Sequence, residues 1–147
     1  MASAVDINGV QCPVIGGVLK CGGNCPSGDV VIPNDANVTS IGEGAFSWCD
    51  ELTSVTLPEG LTSIETYAFY HCTGLTSVDL SATSLTSIGV RAFWGCTGLT
   101  SVTFPGTLDS IGDFAFSGCS GLTSVILLEG LTSIGSVSYK HLTLPTN

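Results

Sequence analysis

The sequence predicts a repeat solenoid with a short N-terminal cap, and two observations predict it. Ala-Phe recurs at Ala45-Phe46, Ala68-Phe69, Ala92-Phe93 and Ala115-Phe116, and three residues after each Phe stands Cys49, Cys72, Cys96 or Cys119. Successive Phe residues are 23, 24 and 23 positions apart. At such a period one unit cannot bury its apolar face alone and stacks on copies of itself. Within each unit, moreover, the apolar spacing changes in the same order, so every unit contains the same succession of elements.

Residues 1–29 stand outside the repeat. Ala4 to Ile7, Asn8-Gly9 and Val10 to Val14 predict a β-hairpin, because Asn-Gly supplies the positive φ angles of a type I′ turn. The hairpin serves as an N-terminal cap over the end of the first ladder, which would otherwise template aggregation.

Residues 30–135 hold four units and a partial one. Each opens with a strand, at Leu52/Val55/Leu57, Leu75/Val78/Leu80, Leu99/Val102/Phe104 and Leu122/Val125/Leu127. There Val55 and Leu57 alternate with Ser54 and Thr56, the pattern of a strand with one buried face. Pro33, Pro58 and Pro105 end this strand, since proline donates no ladder hydrogen bond. A second extended segment follows at Leu61/Ile64, Leu85/Ile88, Leu108/Ile111 and Leu131/Ile134, with Val38/Ile41 in the partial unit. Then Ala45, Phe46 and Cys49 fall on one face at i, i+1 and i+4, which predicts one helical turn. The third unit replaces the Pro with Ser81 and carries one additional residue before Leu85, a surface-loop insertion. Stacking places Phe46, Phe69, Phe93 and Phe116 in one structural ladder and Cys49, Cys72, Cys96 and Cys119 in another.

Composition narrows the function classes. The 147 residues are 44% hydrophobic and 10% charged, enough for one domain with a sizeable core. A formal charge of −9 argues against nucleic acid and anionic membrane as partners, because both need clustered Lys and Arg. Apolar runs such as Val125 to Leu128 fall far short of the roughly 20 residues of a membrane helix. Met1 to Asp6 carries neither a basic stretch nor a long apolar one, so no secretory signal is legible and the compartment stays open.

The unit Leu-Thr-Ser-Val-Thr-Leu-Pro-Glu-Gly-Leu-Thr-Ser-Ile-x-x-x-Ala-Phe-x-x-Cys, as at residues 52–72, resembles the BspA-like class of leucine-rich repeats. The resemblance implies a curved leucine-rich-repeat solenoid with one parallel strand per turn on the concave side. It also implies surface or secreted proteins that bind host proteins, matrix or other cells, and it brings no catalytic residues. Ser136 to Asn147 breaks the register, with Tyr139 where the repeat has Phe and Leu142 where it has Cys. A degenerate last repeat would read so; the preferred reading is translated adaptor or vector sequence, outside the native fold.

Candidate chemistry is sparse. Cys49, Cys72, Cys96 and Cys119 read as reduced core thiols, since buried thiols behave as small hydrophobes; disulfides between rungs would strain a regular stack. Cys12, Cys21 and Cys25 belong to the cap, where one disulfide, Cys21 with Cys25, fits an exported protein and three free thiols fit an intracellular one. A zinc site lacks a fourth ligand nearby, and no metal or cofactor is expected. His71-Cys72 suggests an activated thiolate, but neighbours on a helical turn point about 100° apart, so Cys72 faces the core when His71 faces solvent. Glycine-rich phosphate loops and nucleophile elbows are missing, and Asp79 and Asp109 lack partners at a defined spacing. No basis for an enzyme is found. Asn37-Val38-Thr39 is an N-glycosylation sequon, in a loop two residues longer than its counterparts.

What remains is the outward row of each strand. Ser54, Ser77, Ser101 and Ser124 stack in one line, and Thr56, Asp79, Thr103 and Ile126 in the next. A solvated hydroxyl surface explains them plainly, because Thr favours strands. Variation in the second line, between units whose core scarcely changes, supports a recognition face. The leading reading is therefore a non-catalytic, adhesive module that binds a protein or carbohydrate partner through this face. A passive spacer within a larger protein is the alternative. Ice or another ordered surface is a third, suggested by the Ser and Thr rows but interrupted at Asp79 and Ile126.

Overall fold

Two sheets and a stack of turns carry the repeat in the computed structural model, which describes residues 3–123 and 125–136. In chain order the strands are β1 (Ser3–Ile7), β2 (Val10–Ile15), β3 (Val18–Leu19), β4 (Gly28–Val31), β5 (Ser40–Ile41), β6 (Leu52–Thr56), β7 (Ser63–Ile64), β8 (Ser77–Asp79), β9 (Ser87–Ile88), β10 (Ser101–Thr103), β11 (Ser110–Ile111) and β12 (Ser133–Ile134). The first strands of the units form one parallel sheet, β10-β8-β6-β4. The second segments form the other, β5-β7-β9-β11-β12, which the cap extends through β3, β2 and β1. The chain is thus a leucine-rich-repeat solenoid with an N-terminal hairpin. No helix among the described residues is long and apolar enough to cross a membrane.

The hairpin pairs Ser3 with Val14 through Ile7 with Val10. Asn8 and Gly9 take φ angles of 50° and 85°, as a type I′ turn requires. β3 runs back along β2 and then pairs parallel with β5, so the cap docks onto the sheet of the second segments.

The expected helical turn is instead a run of tight turns. In the first unit the N–H groups of Ala45, Ser47 and Cys49 bond three residues back, to Gly42, Gly44 and Phe46. Those of Gly44, Phe46 and Trp48 reach the next coil, at Thr66, Ala68 and Tyr70. Because alternate donors are spent between coils, a continuous helical ladder cannot form. The price in geometry is two left-handed residues per unit, two before and two after the Phe: Gly44 and Trp48, Tyr67 and His71, Arg91 and Gly95, Phe114 and Gly118. Each is the third residue of a turn of the type II pattern, where φ is positive.

The inward side chains form one core cluster. Phe46, Phe69, Phe93 and Phe116 stack with centroids 5.1, 5.0 and 5.1 Å apart and nearly parallel rings. The Cys72, Cys96 and Cys119 thiols each donate to the carbonyl of the Phe one coil earlier, Phe46, Phe69 and Phe93, at 3.0, 3.1 and 3.0 Å. Threonine does similar work on both sheets. Thr62, Thr76, Thr86 and Thr100 give both their N–H and their hydroxyl to one carbonyl of the preceding coil, on Thr39, Thr53, Thr62 and Thr76. That bidentate bond explains why Leu-Thr-Ser recurs in both halves of the unit.

The cysteine expectations need correcting. Cys21 bonds Cys12, with Cα atoms 4.3 Å apart, and does not pair with Cys25. The antiparallel register that sets Val14 against Leu19 and Ile15 against Val18 continues to put Cys12 opposite Cys21. Cys25 bonds Cys49, 24 residues on and one coil away, so Cys49 is not a free core thiol. Cys72, Cys96 and Cys119 are free and buried.

Candidate functional site

The outward row of the first sheet is brought into register. Asp29, Ser54, Ser77 and Ser101 lie side by side in one line, and Val31 aligns with Thr56, Asp79 with Thr103, and Thr103 with Ile126 in the other. Thr56, Ser77, Asp79, Ser101, Thr103 and Ile126 are exposed, whereas Ser54 is half-buried. Ser124 lies outside the described residues, as do Tyr139 and Leu142 of the tail.

Asp29 and Val31 were not singled out from the sequence, although Gly28-Asp29-Val30-Val31-Ile32-Pro33 repeats the spacing of Thr53 to Pro58. Asp29 accepts hydrogen bonds from Ser54 at 2.7 Å and Thr53 at 3.0 Å, which hold its carboxyl below the usual carboxylate range. Asp79 is held low in the same way by its hydrogen bonds with Ser81. Two carboxylates therefore stay charged at neutral pH on one face. The line also ends in exposed aliphatic side chains, Val31 at 60% and Ile126 at 77% exposure.

A second cluster, on the turn face, was missed. Trp48 packs on His71 with centroids 4.1 Å apart, and Tyr70 stands edge-on to both Trp48 and Tyr67 at 5.7 and 5.2 Å. Trp94 stacks on Tyr70 at 5.0 Å. Arg91 donates to the Tyr67 hydroxyl at 3.0 Å and lies over the Phe114 ring. An available signal was position relative to the ladder Phe, since all these aromatic residues fall two before, one after or two after it. Lys20, Glu43 and Ser47 join Trp48, Tyr67 and Tyr70 around an open groove of about 680 Å³.

Other singled-out residues make separate contacts. Cys72 donates into the core to Phe46, while the His71 ring lies on Trp48, so thiol and imidazole are not paired. The Cys96 thiol is lowered by Cys119 but raised more by Cys72 and burial together, for a net upward shift; Cys96 and burial push Cys119 up. Neither is a ready thiolate. Asn37 is exposed in a left-handed conformation after a short 3-10 turn at Asn34–Ala36.

Stacked parallel strands around a repeated Phe and Leu core define a leucine-rich-repeat module. The chain belongs to the BspA-type leucine-rich repeat family, whose model matches residues 21–144 in six copies. Comparison with curated proteins found no match. Solved structures do match. A leucine-rich repeat protein of T. pallidum is 27% identical, with a TM-score of 0.56 over 74% of this chain and 47% of that one. Another, from Eubacterium ventriosum, is 25% identical, with a TM-score of 0.68 over 90% of this chain and 39% of that one. The pneumococcal vaccine antigen PcpA, at 24% identity and a TM-score of 0.61, shares the fold over 82% of this chain and 29% of its own. The chain thus spans less than half the length of each of these three.

Proposed function

We infer that this chain is a non-catalytic recognition module that docks a protein partner on the outward face of β4, β6, β8 and β10. One observation carries the reading: Val31, Thr56, Asp79, Thr103 and Ile126 project in a line from a sheet whose inward side is invariant in character. Parallel strands set successive members about 4.8 Å apart. Exposed aliphatic ends with hydroxyls and a carboxylate between them suit a protein surface, where apolar anchors supply affinity and polar groups fix register. The charge of −9, with Asp29 and Asp79 on this face, favours a basic partner patch. Membership of the BspA-type leucine-rich repeat family supports a recognition role, which we take to be adhesive and surface-displayed.

Probing an array of purified matrix and secreted proteins with the folded chain tests this. At least one binder should be lost with Asp79→Lys or a Thr56→Ala/Thr103→Ala double variant. Retention of every interaction by both variants would leave a passive spacer as the better reading.

A further inference from the structure

The turn face poses a question that packing answers for Tyr67, His71, Arg91 and Phe114, which are half-buried against neighbouring side chains, but not for Trp48. Every unit needs two left-handed residues around its Phe, and glycine fills that need in Gly44, Gly95 and Gly118. The remaining five are Trp48, Tyr67, His71, Arg91 and Phe114, with φ between 53° and 64°. A side chain there is strained, and the usual non-glycine choices are Asn, Asp and His. His71 follows that rule; Trp48, Tyr67, Arg91 and Phe114 are the unexpected set. Trp48 is the extreme case: it occupies the slot held by Gly95 and Gly118 two and three coils on, and it is 58% exposed. Strain kept at an exposed side chain points to a role outside the fold.

We propose that the groove beside Trp48 is a carbohydrate-binding site for a neutral pyranose, distinct from the strand face. His71 covers one side of the indole at 4.1 Å, leaving an exposed flat surface of the kind on which the C–H face of a sugar ring stacks. Tyr67 and Tyr70 supply further walls, set edge-on to one another. Lys20, Glu43 and Ser47 place a cationic donor, an anionic acceptor and a hydroxyl around the same groove, the mixture that sugar hydroxyls can satisfy. Charge selects among sugars: Lys20 and Glu43 cancel at the groove and the chain carries −9 overall, so a neutral hexose is favoured over a sialylated or uronic-acid glycan.

The test is an NMR titration of the backbone amide and indole N–H resonances, the amides being read in both wild type and variant, with neutral hexose oligosaccharides (cello-, laminari-, manno- and malto-hexaose), a sialyllactose and a proline-rich peptide. Trp48→Gly is the variant of choice, because glycine already serves the same slot in later coils and the fold is retained. At least one neutral oligosaccharide should shift the Trp48 signal at millimolar concentration. Its binding should weaken about tenfold or more in Trp48→Gly and stay unchanged in Asp79→Lys. No shift with any neutral sugar, equal binding by Trp48→Gly, or a response only to sialyllactose or to the peptide would overturn the proposal.

Discussion

The Cα atoms of Cys25 and Cys49 lie 5.1 Å apart across one turn of the coil, at the position where each of the next three coils carries a free thiol bonded to the Phe carbonyl before it. Cys49 has no earlier ladder Phe to donate to, and the disulfide takes the place of that bond. The cap is thereby tied to the first repeat by a covalent rung.

Alkylation without reduction should accordingly leave Cys12, Cys21, Cys25 and Cys49 unmodified and label three thiols, and only after unfolding. Peptide mapping by mass spectrometry checks the pairing. Cys25→Ser should lower unfolding stability by about 2–4 kcal/mol in urea.

Alkaline pH should destabilise the fold. Cys119 lowers Cys96, but Cys72 and burial together raise it more, and Cys96 and burial raise Cys119, so both remain protonated in the folded state while the unfolded chain ionises near 8.5–9. Below that range their contribution is complete. Above it the unfolded state binds fewer protons, and stability should fall by up to about 1.4 kcal/mol per pH unit for each thiol. Urea melts at rising pH, compared with a Cys96→Ala/Cys119→Ala variant, measure the difference in slope.

Glycines should separate by conformation. Gly95 has φ +74°, and an added Cβ would sit 2.9 Å from His71 Cδ2. Gly95→Ala should therefore cost at least about 1 kcal/mol. Gly106 has no positive φ and open space at its Cβ, so Gly106→Ala should be neutral or stabilise by up to about 1 kcal/mol. Paired thermal melts decide it.

In the Phe stack, Phe69 and Phe93 have ring neighbours on both sides. Truncating either to Ala should cost about 3–5 kcal/mol in chemical denaturation, through the cavity left behind.

How much of this was legible in sequence follows from which residues repeat. The 23-residue period disclosed both strand sets and the Phe ladder, because each occupies the same slot in every unit. The turn segment was misread because inward Ala45, Phe46 and Cys49 fit a helical face equally well; only donors shared with the next coil separate the two conformations. Cys25 stands one period before Cys49, yet treating it as part of the cap hid that spacing. Cys12 and Cys21 needed the β2–β3 register, which two-residue β3 barely announces. The aromatic groove was hidden for another reason: Trp48, Tyr67 and Tyr70 come from two coils, and their departure from the consensus looked like ordinary surface variation.

The most direct measurement is biolayer interferometry of a captured protein partner against the wild-type chain, Asp79→Lys and Trp48→Gly. Recognition through the strand face predicts that Asp79→Lys weakens binding about tenfold or more while Trp48→Gly leaves it unchanged. Full binding by Asp79→Lys, with loss in Trp48→Gly, would contradict it and move the protein partner to the turn face.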